Sequence, residues 1–508
     1  MPDKILVWID PDFLQFGITK FLQKKIEADF YAIVDLNHHL EKSFKIQKIV
    51  NFKKIWYYWE NFRKNKPNSN LEYLKDFEQR YNFKLWTLIY SERIFYKYNE
   101  FNKLSSNEIL QIITHDCQFF EKILDEINPN YLVIKGVDFH RNYLLAEICN
   151  VRGIKVLMLY SSRIGYRSTI SSKFDQIELS NTTVKEKIIS NKTFPELRDY
   201  LKKFNKTQHM SAIKSGGFGY SNIHKFRVLI HWLTKTFDSQ YRETYDHFGI
   251  TRYKVIKNQL SHIIKRNYRE FFINKNFQKE IPSQKFLYFP MQVEPERNVL
   301  LGAPFYSNQL ELIKNIAKSL PIGYYLIVKE HYAMRLKGWR STSYYQQLLD
   351  LPNVILLHPS IKSDDVIKLC SIVLTINGSG GFEAAFYEKP CIVFSDTNYS
   401  HLSFVHRINR IEELPCIIQK FLKIKVNLDE LNQFVNDLDN STFVFDEFQF
   451  EREIFDRFHH GFLVGDKISM DELNSFFEEK KQILEKITAE HINKMICYYK
   501  DTHITKKL

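Results

Sequence analysis

Between Lys285 and Phe394 short apolar runs alternate with amphipathic stretches, and this alternation constrains the fold more than any other feature of the chain. Lys285 to Phe289, Tyr324 to Val328, Val354 to Leu357, Ile372 to Leu374 and Cys391 to Phe394 read as buried strands. Asn308 to Ser319, Tyr344 to Leu349, Asp364 to Leu369 and Gly381 to Tyr387 read as the helices between them. A strand–helix–strand rhythm of this length is satisfied by a parallel sheet covered by helices on both faces. The rhythm also opens the chain, with strand Lys4 to Ile9, helix Phe13 to Ile26 and strand Phe30 to Val34. It recurs through Asn107 to Ile127, Tyr131 to Ile134, Tyr143 to Asn150 and Ile154 to Leu159. The expected fold class is therefore α/β, with two Rossmann-like doubly wound domains facing a cleft.

Elsewhere the strand rhythm lapses. Helical spacing dominates from about Ser180 to Pro282, in His224 to Phe237 and Tyr253 to Phe277, and Ser215 to Gly219 reads as a loop near the cleft. After about His401 only helical segments are expected, including Ile411 to Leu422 and Met470 to Met495. This divides the chain into a first sheet domain (1–180), a helical insertion (181–282), a second sheet domain (283–404) and a helical tail (405–508) that packs back towards the first domain. The aromatic runs Trp56 to Trp59 and Phe95 to Phe101 read as core packing of inserted helices, with a carbohydrate-stacking surface as the alternative.

With 508 residues, 44% hydrophobic and 26% charged, the chain has an ordinary globular make-up, which excludes disordered, collagen-like and disulfide-scaffold classes. Cysteines 117, 149, 370, 391, 416 and 497 form no paired or His-linked motif and read as reduced core residues. The amino terminus lacks a secretory apolar run and no stretch reaches a membrane span, so a cytoplasmic location is expected, with peripheral contact with the cytoplasmic (inner) membrane. The surplus of 72 basic over 59 acidic residues, +13, favours anionic partners. Because it is scattered, it reads as a solvated surface, and nucleic acid is not an expected partner.

In open parallel sheets ligands sit beyond the carboxyl ends of strands, so polar residues directly after strands are the first candidates. Asn377-Gly378-Ser379-Gly380-Gly381-Phe382-Glu383 follows one strand and opens a helix. Its glycines admit a close ligand, its amides and Ser379 suit a phosphate, and Glu383 suits ribose or sugar hydroxyls; a tight turn with a capping Glu is the structural alternative. Lys329-Glu330-His331 ends another strand and could neutralise a phosphate, with Glu330 holding a neighbour in place. The Pro-stiffened loop after Phe289 presents Gln292, Glu294, Glu296 and Arg297. In the first domain, Asp138 or His140 could deprotonate a hydroxyl, Arg141 or Arg163 could bind an anion, and Asp138 could equally cap a helix. Asp10-Pro11-Asp12 carries the same ambiguity. No metal-ligand spacing is present, and GxGxxG, GxxxxGK[ST] and GxSxG are all missing, which removes the main support for dehydrogenase, P-loop and α/β-hydrolase readings.

The run Tyr288-Phe289-Pro290-Met291-Gln292-Val293-Glu294-Pro295-Glu296-Arg297, then Val328-Lys329-Glu330-His331, then Asn377 to Ala384 with Lys389-Pro390, resembles the carboxyl-terminal domain of bacterial capsular polysaccharide biosynthesis proteins. These are glycosyltransferase-like proteins of the two-domain GT-B fold. The Gly380 to Ala384 segment is also similar to the donor-binding turn of UDP-N-acetylglucosamine 2-epimerases. The resemblance implies a nucleotide-sugar donor in the second domain, used as substrate with no further cofactor, and a glycan or lipid-linked glycan acceptor at the first. Transfer would need no obligatory metal. It implies that Lys329 and His331 face the donor phosphates, that the Asn377 to Gly381 turn aims amides at them, and that Glu383 holds the sugar or ribose. Where the family commonly has Pro after Lys-Glu-His, Tyr332 stands here. An inverting transfer would take Asp138 as its base, with His140 second. The alternatives are a nucleotide-sugar 2-epimerase and a non-enzymatic basic scaffold for membrane or nucleic acid.

Overall fold

The computed structural model describes residues 2–505 apart from 37, 65–67, 96–102, 163–164, 175, 179–189, 204–229, 231–251 and 460–466. Two sheets organise the chain. The first contains β1 (Asp3–Ile9), β2 (Ala28–Val34), β3 (Lys54–Tyr57), β4 (Tyr131–Lys135), β5 (Lys155–Ser161), β6 (Arg167–Ser171) and, from the far end of the chain, β13 (Phe443–Val444), in the order β13-β6-β5-β4-β1-β2-β3. The second contains β7 (Phe286–Pro290), β8 (Tyr325–Lys329), β9 (Val354–Leu357), β10 (Val373–Thr375), β11 (Cys391–Val393) and β12 (Val405–Arg407), in the order β12-β11-β10-β7-β8-β9. Counted from β7, the second order reads 3-2-1-4-5-6, the Rossmann order, and all its pairings are parallel. The first sheet repeats 3-2-1-4-5 from β1, and its last two strands are antiparallel.

Both sheets are buried on both faces, which explains why their strands read as unbroken apolar runs rather than alternating ones. Ile5, Val7 and Ile9 of β1 point into one core with Phe16 and Phe44, while Leu6 and Trp8 point into another with Phe77 and Phe120. In the second sheet Leu326 and Val328 pack on one side and Ile327 on the other. The expected α/β class with two Rossmann-like domains is what the structure shows.

Several local expectations need correction. Trp56 and Tyr57 lie in edge strand β3, and the helix Tyr58–Lys64 begins only after them. Strands continue past His401: β12 pairs with β11, and β13 reaches back to pair with β6. Neither β6 nor β13 carries a long apolar run, so periodicity had nothing to detect. The long helix expected from Met470 to Met495 is two, Met470–Glu479 and Lys481–Thr505. Cys416 is exposed rather than in the core. His224 to Phe237, apart from Ile230, and Ser215 to Gly219 lie outside the described residues.

After β13 the tail belongs physically to the first sheet. Ile454, Phe458, Phe476, Phe477, Leu484 and Ile487 share a core with Phe13, Leu14 and Phe16. The approach is close: a Cβ on Gly17 would sit 2.9 Å from the Phe477 ring.

Candidate functional site

In each Rossmann-like sheet the strand order reverses between the first and fourth strands, and the crevice beyond that reversal is where ligands bind. Here the reversals lie between β1 and β4 and between β7 and β10. The residues following those strands come together across the molecule, since Asp138, just beyond β4, pairs with Arg297, in the segment following β7, at 3.1 Å. The carboxyl ends of the two sheets therefore face one another.

On the second-domain side, Lys329 ends β8 in register with Pro290. It is 8% exposed, yet among the described residues no carboxylate comes within ion-pair reach of its ammonium. Burial pulls its pKa down to about 8, against the attraction of Glu330 and Asp364. Pro290 leads to the turn before the helix Gly380–Phe386, since a Cβ on Gly380 would meet only the Pro290 Cγ, at 3.5 Å. A buried lysine and an uncrowded glycine thus both neighbour Pro290. The backbone N–H groups of Ser379 and Gly380 find no acceptor among the described residues.

His331 follows at the protein surface. Its Nδ1 accepts the Ala333 N–H at 3.1 Å, which leaves the proton on Nε2. Although an edge of the ring reaches solvent, desolvation by its surroundings and the charges of Lys329 and Arg340 pull the imidazole down to about 4. At neutral pH His331 is thus an Nε2–H donor rather than a cation.

Glu330 is turned inward. Its carboxylate is 1% exposed and accepts hydrogen bonds from Arg340 Nη1, from Tyr345 Oη at 2.9 Å and from the His331 N–H at 2.9 Å. Arg340 also donates to the Gln292 carbonyl at 2.8 Å and lies 3.5 Å from Glu294. Gln309 bonds Glu294 at 2.6 Å. The Gln292 amide completes the brace. Oriented to satisfy its partners, its oxygen accepts from the Gly378 N–H at 2.7 Å and its nitrogen donates to Asn377 Oδ1 at 3.0 Å. Asn377 Nδ2 donates to the Asn298 carbonyl at 2.6 Å. Glu330, Gln292, Glu294 and Asn377 hold the turn in shape, and Glu296 leads into the short helix Arg297–Leu300.

The glycines of the turn have different reasons. A Cβ on Gly378 would lie 2.9 Å from both the Gln292 amide and Thr375 Oγ1, and one on Gly381 would lie 2.6 Å from Cys391 Sγ and 2.7 Å from Tyr399 Oη. Those two are packing requirements, whereas a Cβ on Gly380 would make only an ordinary contact with Pro290. Ser379 Oγ donates to Glu383 Oε1 at 2.8 Å, so the half-buried carboxylate sits within the turn.

On the first-domain side, Asp138 does not cap the helix His140–Val151; Asn142 bonds the Phe139 N–H at 3.1 Å instead. The Asp138 carboxylate is half-exposed on Arg297, and Arg93 Nη2 grips its carbonyl at 2.7 Å. His140 is a different matter. It is buried, with Nδ1 2.8 Å from Glu92 and Nε2 3.0 Å from Asp116. Burial disfavours its charge, but the two carboxylates hold its pKa up at about 9. A base needs a free nitrogen, and His140 has none, so the expectation that it could act as one is corrected. Arg141 is likewise internal, bonded to Asp35 at 2.7 Å and stacked on Phe139. Asp35 takes its Nε, and the guanidinium is packed among the Tyr58, Trp59 and Phe139 rings. Arg163 lies outside the described residues.

The pattern of the sequence did not reveal a buried cluster at the first reversal. Lys135 at the end of β4 is held by Asp12 and Glu451 and lies 3.3 Å from Glu447, both glutamates coming from the tail helix Glu447–Phe458. Burial pushes Glu451 up to about 7, opposed by Lys135. Asp10 is raised by burial and by neighbouring Asp12. The Asp10-Pro11-Asp12 signal was visible, but Asp12 meets Lys135 across 123 residues of sequence, and Lys135 meets Glu451 across a further 316. Arg93 and Arg340 were missed because single arginines in polar context carry no periodic mark.

Between the domains, a cavity of about 450 Å³ is lined by Trp86, Tyr90, Ser91, Leu300, Phe305 and Ser307 among others. Trp86, Tyr90 and Phe305 present exposed rings to it.

Residues 227–403 match the family model of capsule polysaccharide biosynthesis proteins, the family that the second-domain motifs resemble. The matched span includes Gln292, Lys329 and the Asn377 to Glu383 turn, and covers less than half of the chain. Among curated proteins nothing matches. Similar solved structures include a UDP-GlcNAc 2-epimerase of Methanocaldococcus jannaschii in complex with UDP-GlcNAc and UDP (15% identity, 86% of this chain and 99% of that one, TM-score 0.26). Others are the beta Kdo 2,7 transferase KpsC of Thermosulfurimonas dismutans (16% identity, 74% and 98%, TM-score 0.31) and a UDP-GlcNAc 2-epimerase from Neisseria meningitidis bound to UDP-GlcNAc (11% identity, 86% and 98%, TM-score 0.27). Likenesses at this level say nothing of activity.

Proposed function

We propose that the protein is a glycosyltransferase that moves a sugar from a nucleotide-sugar donor to a growing surface glycan. The observation that carries this reading is Lys329. An ammonium buried without a carboxylate partner is costly unless an anion completes it, and this one ends a strand within the matched capsule-synthesis span. The unpaired Ser379 and Gly380 amides and the Nε2–H of His331 supply further donors for a donor phosphate. Glu383, oriented by Ser379, is suited to sugar or ribose hydroxyls.

The acceptor glycan takes the first-domain side of the cleft. Exposed rings of Trp86 and Tyr90 there, with Phe305 facing them from the second domain around a cavity, suit the apolar faces of sugars, and Ser91 and Ser307 add hydroxyls. Asp138 is the proposed proton acceptor. As the acceptor oxygen bonds to the anomeric carbon and the sugar–phosphate bond breaks, the hydroxyl proton passes to Asp138 and the leaving phosphate keeps the electron pair, facing Lys329.

Incubation with a panel of nucleotide sugars, with and without acceptor glycans, tests the reading. Transfer that requires both substrates supports it. A sugar interconverted without any acceptor would replace it with the epimerase alternative, and the absence of any nucleotide binding would favour a scaffold.

A further inference from the structure

The helix Arg252–Asn276 docks one face on the second domain. Ile273 enters that core, Arg269 Nη1 donates to the Gly338 and Trp339 carbonyls at 2.9 and 2.8 Å, and Glu270 pairs with Arg335 at 3.3 Å. On the other face Tyr253, Ile256, Leu260, Ile264, Tyr268 and Phe271 recur at three- and four-residue spacings. Their exposures run from 47% at Ile256 to 73% at Tyr253. At about 100° per residue they fall on one arc, and at about 1.5 Å per residue the stripe is about 27 Å long. Soluble surfaces seldom leave a largely apolar stripe of that length in water.

The charges around the stripe select its occupant. Lys257 and Lys275 fall within the same arc, Lys265 lies beside it, and all three are exposed, while the helix carries a single carboxylate, Glu270, which is committed to Arg335 on the docked face. A two-fold contact between copies would set these lysines against one another. A surface that is apolar at one depth and anionic just outside it matches both features at once.

We infer that this helix lies in the plane of an anionic lipid bilayer. Its aromatic and aliphatic side chains enter the boundary between headgroups and acyl chains, and the three lysines extend to lipid phosphates. Among the described residues no helix is long and apolar enough to cross a membrane, and this one needs only to lie on it. The inference rests on the helix face alone and does not depend on the sugar chemistry.

Co-sedimentation of the full chain with vesicles tests it. The expected result is binding to phosphatidylglycerol-containing vesicles, weaker by about tenfold on phosphatidylcholine alone and at high salt. Tyr268→Ser with Phe271→Ser should abolish binding without moving the melting temperature. Lys257→Glu with Lys265→Glu and Lys275→Glu, which alters only exposed ammonium groups, should weaken it at least as much as removing the anionic lipid does. Failure of the wild type to bind anionic vesicles would overturn the inference, as would either variant binding as the wild type does. A dimer dissolved by the serine variant would give the stripe to a second copy and overturn it equally.

Discussion

Asp138 and Arg297 meet at 3.1 Å across the two sheet domains, one just beyond β4 and the other in the segment after β7. Arg297 also stacks over Phe174, with 5.3 Å from its guanidinium carbon to the ring centroid. The contact sets the spacing of the cleft at the point where acceptor and donor would meet. Because the Asp138 side chain is half-exposed, the pair should contribute little to stability, about 0.2–1 kcal/mol. Arg297→Ala is therefore expected to shift the melting temperature slightly and to lower transfer well beyond that, through misplacement of Asp138. Thermal unfolding and initial rates measured on one preparation check the split.

Asp138→Asn removes the proposed proton acceptor while keeping the side chain's shape. Transfer should fall by about 10²–10⁴-fold, with nucleotide affinity unchanged. Initial rates with saturating donor, alongside calorimetric donor binding, separate the two effects. An equal loss of donor affinity would assign Asp138 to binding instead.

The buried His140 makes stability depend on alkaline pH. Its folded pKa, about 9, lies above the ordinary value of 6.5. The stabilisation is therefore complete below about pH 6.5 and is lost as pH rises through 9, amounting to about 3 kcal/mol. Urea unfolding at pH 6.5 and above 9 should show that loss in the wild type. In His140→Gln the pH slope should flatten, and stability at pH 6.5 should drop by about 3–5 kcal/mol because Glu92 and Asp116 lose their partner.

Adjacent glycines should behave differently. Gly381→Ala drives a Cβ against Cys391 and Tyr399 and is expected to cost about 1–3 kcal/mol. Gly380→Ala meets only Pro290 at contact distance and should fold like the wild type. Denaturation midpoints of the two variants measured side by side decide this.

How much of this was legible depended on the range of each interaction. The parallel core strands announced themselves through continuous apolar runs such as Leu287 and Val328, because burial on both faces leaves no alternation. β6 and β13 escaped because their pairing, Phe443 opposite Ser168, joins two short segments from distant parts of the chain. Lys329 and the Asn377 to Glu383 turn could be picked out because strand ends in such sheets are where ligands sit. The inward turn of Glu330 and His140 could not, since it depends on Arg340, Asp116 and Glu92 being folded around them. The cluster around Lys135 was hidden for the same reason, as two of its carboxylates arrive from the tail.

In the proposed reaction the unpaired Lys329 ammonium completes itself on a donor phosphate. The most direct measurement is the affinity of wild type and Lys329→Met for UDP, GDP and CMP as a function of pH. The expected result is that at least one of them binds the wild type, that its affinity falls about tenfold between pH 7 and 9 as the lysine loses its proton near pH 8, and that Lys329→Met binds weakly with no such pH dependence. Equal affinity of the two proteins across that range would mean that Lys329 does not meet the nucleotide phosphate.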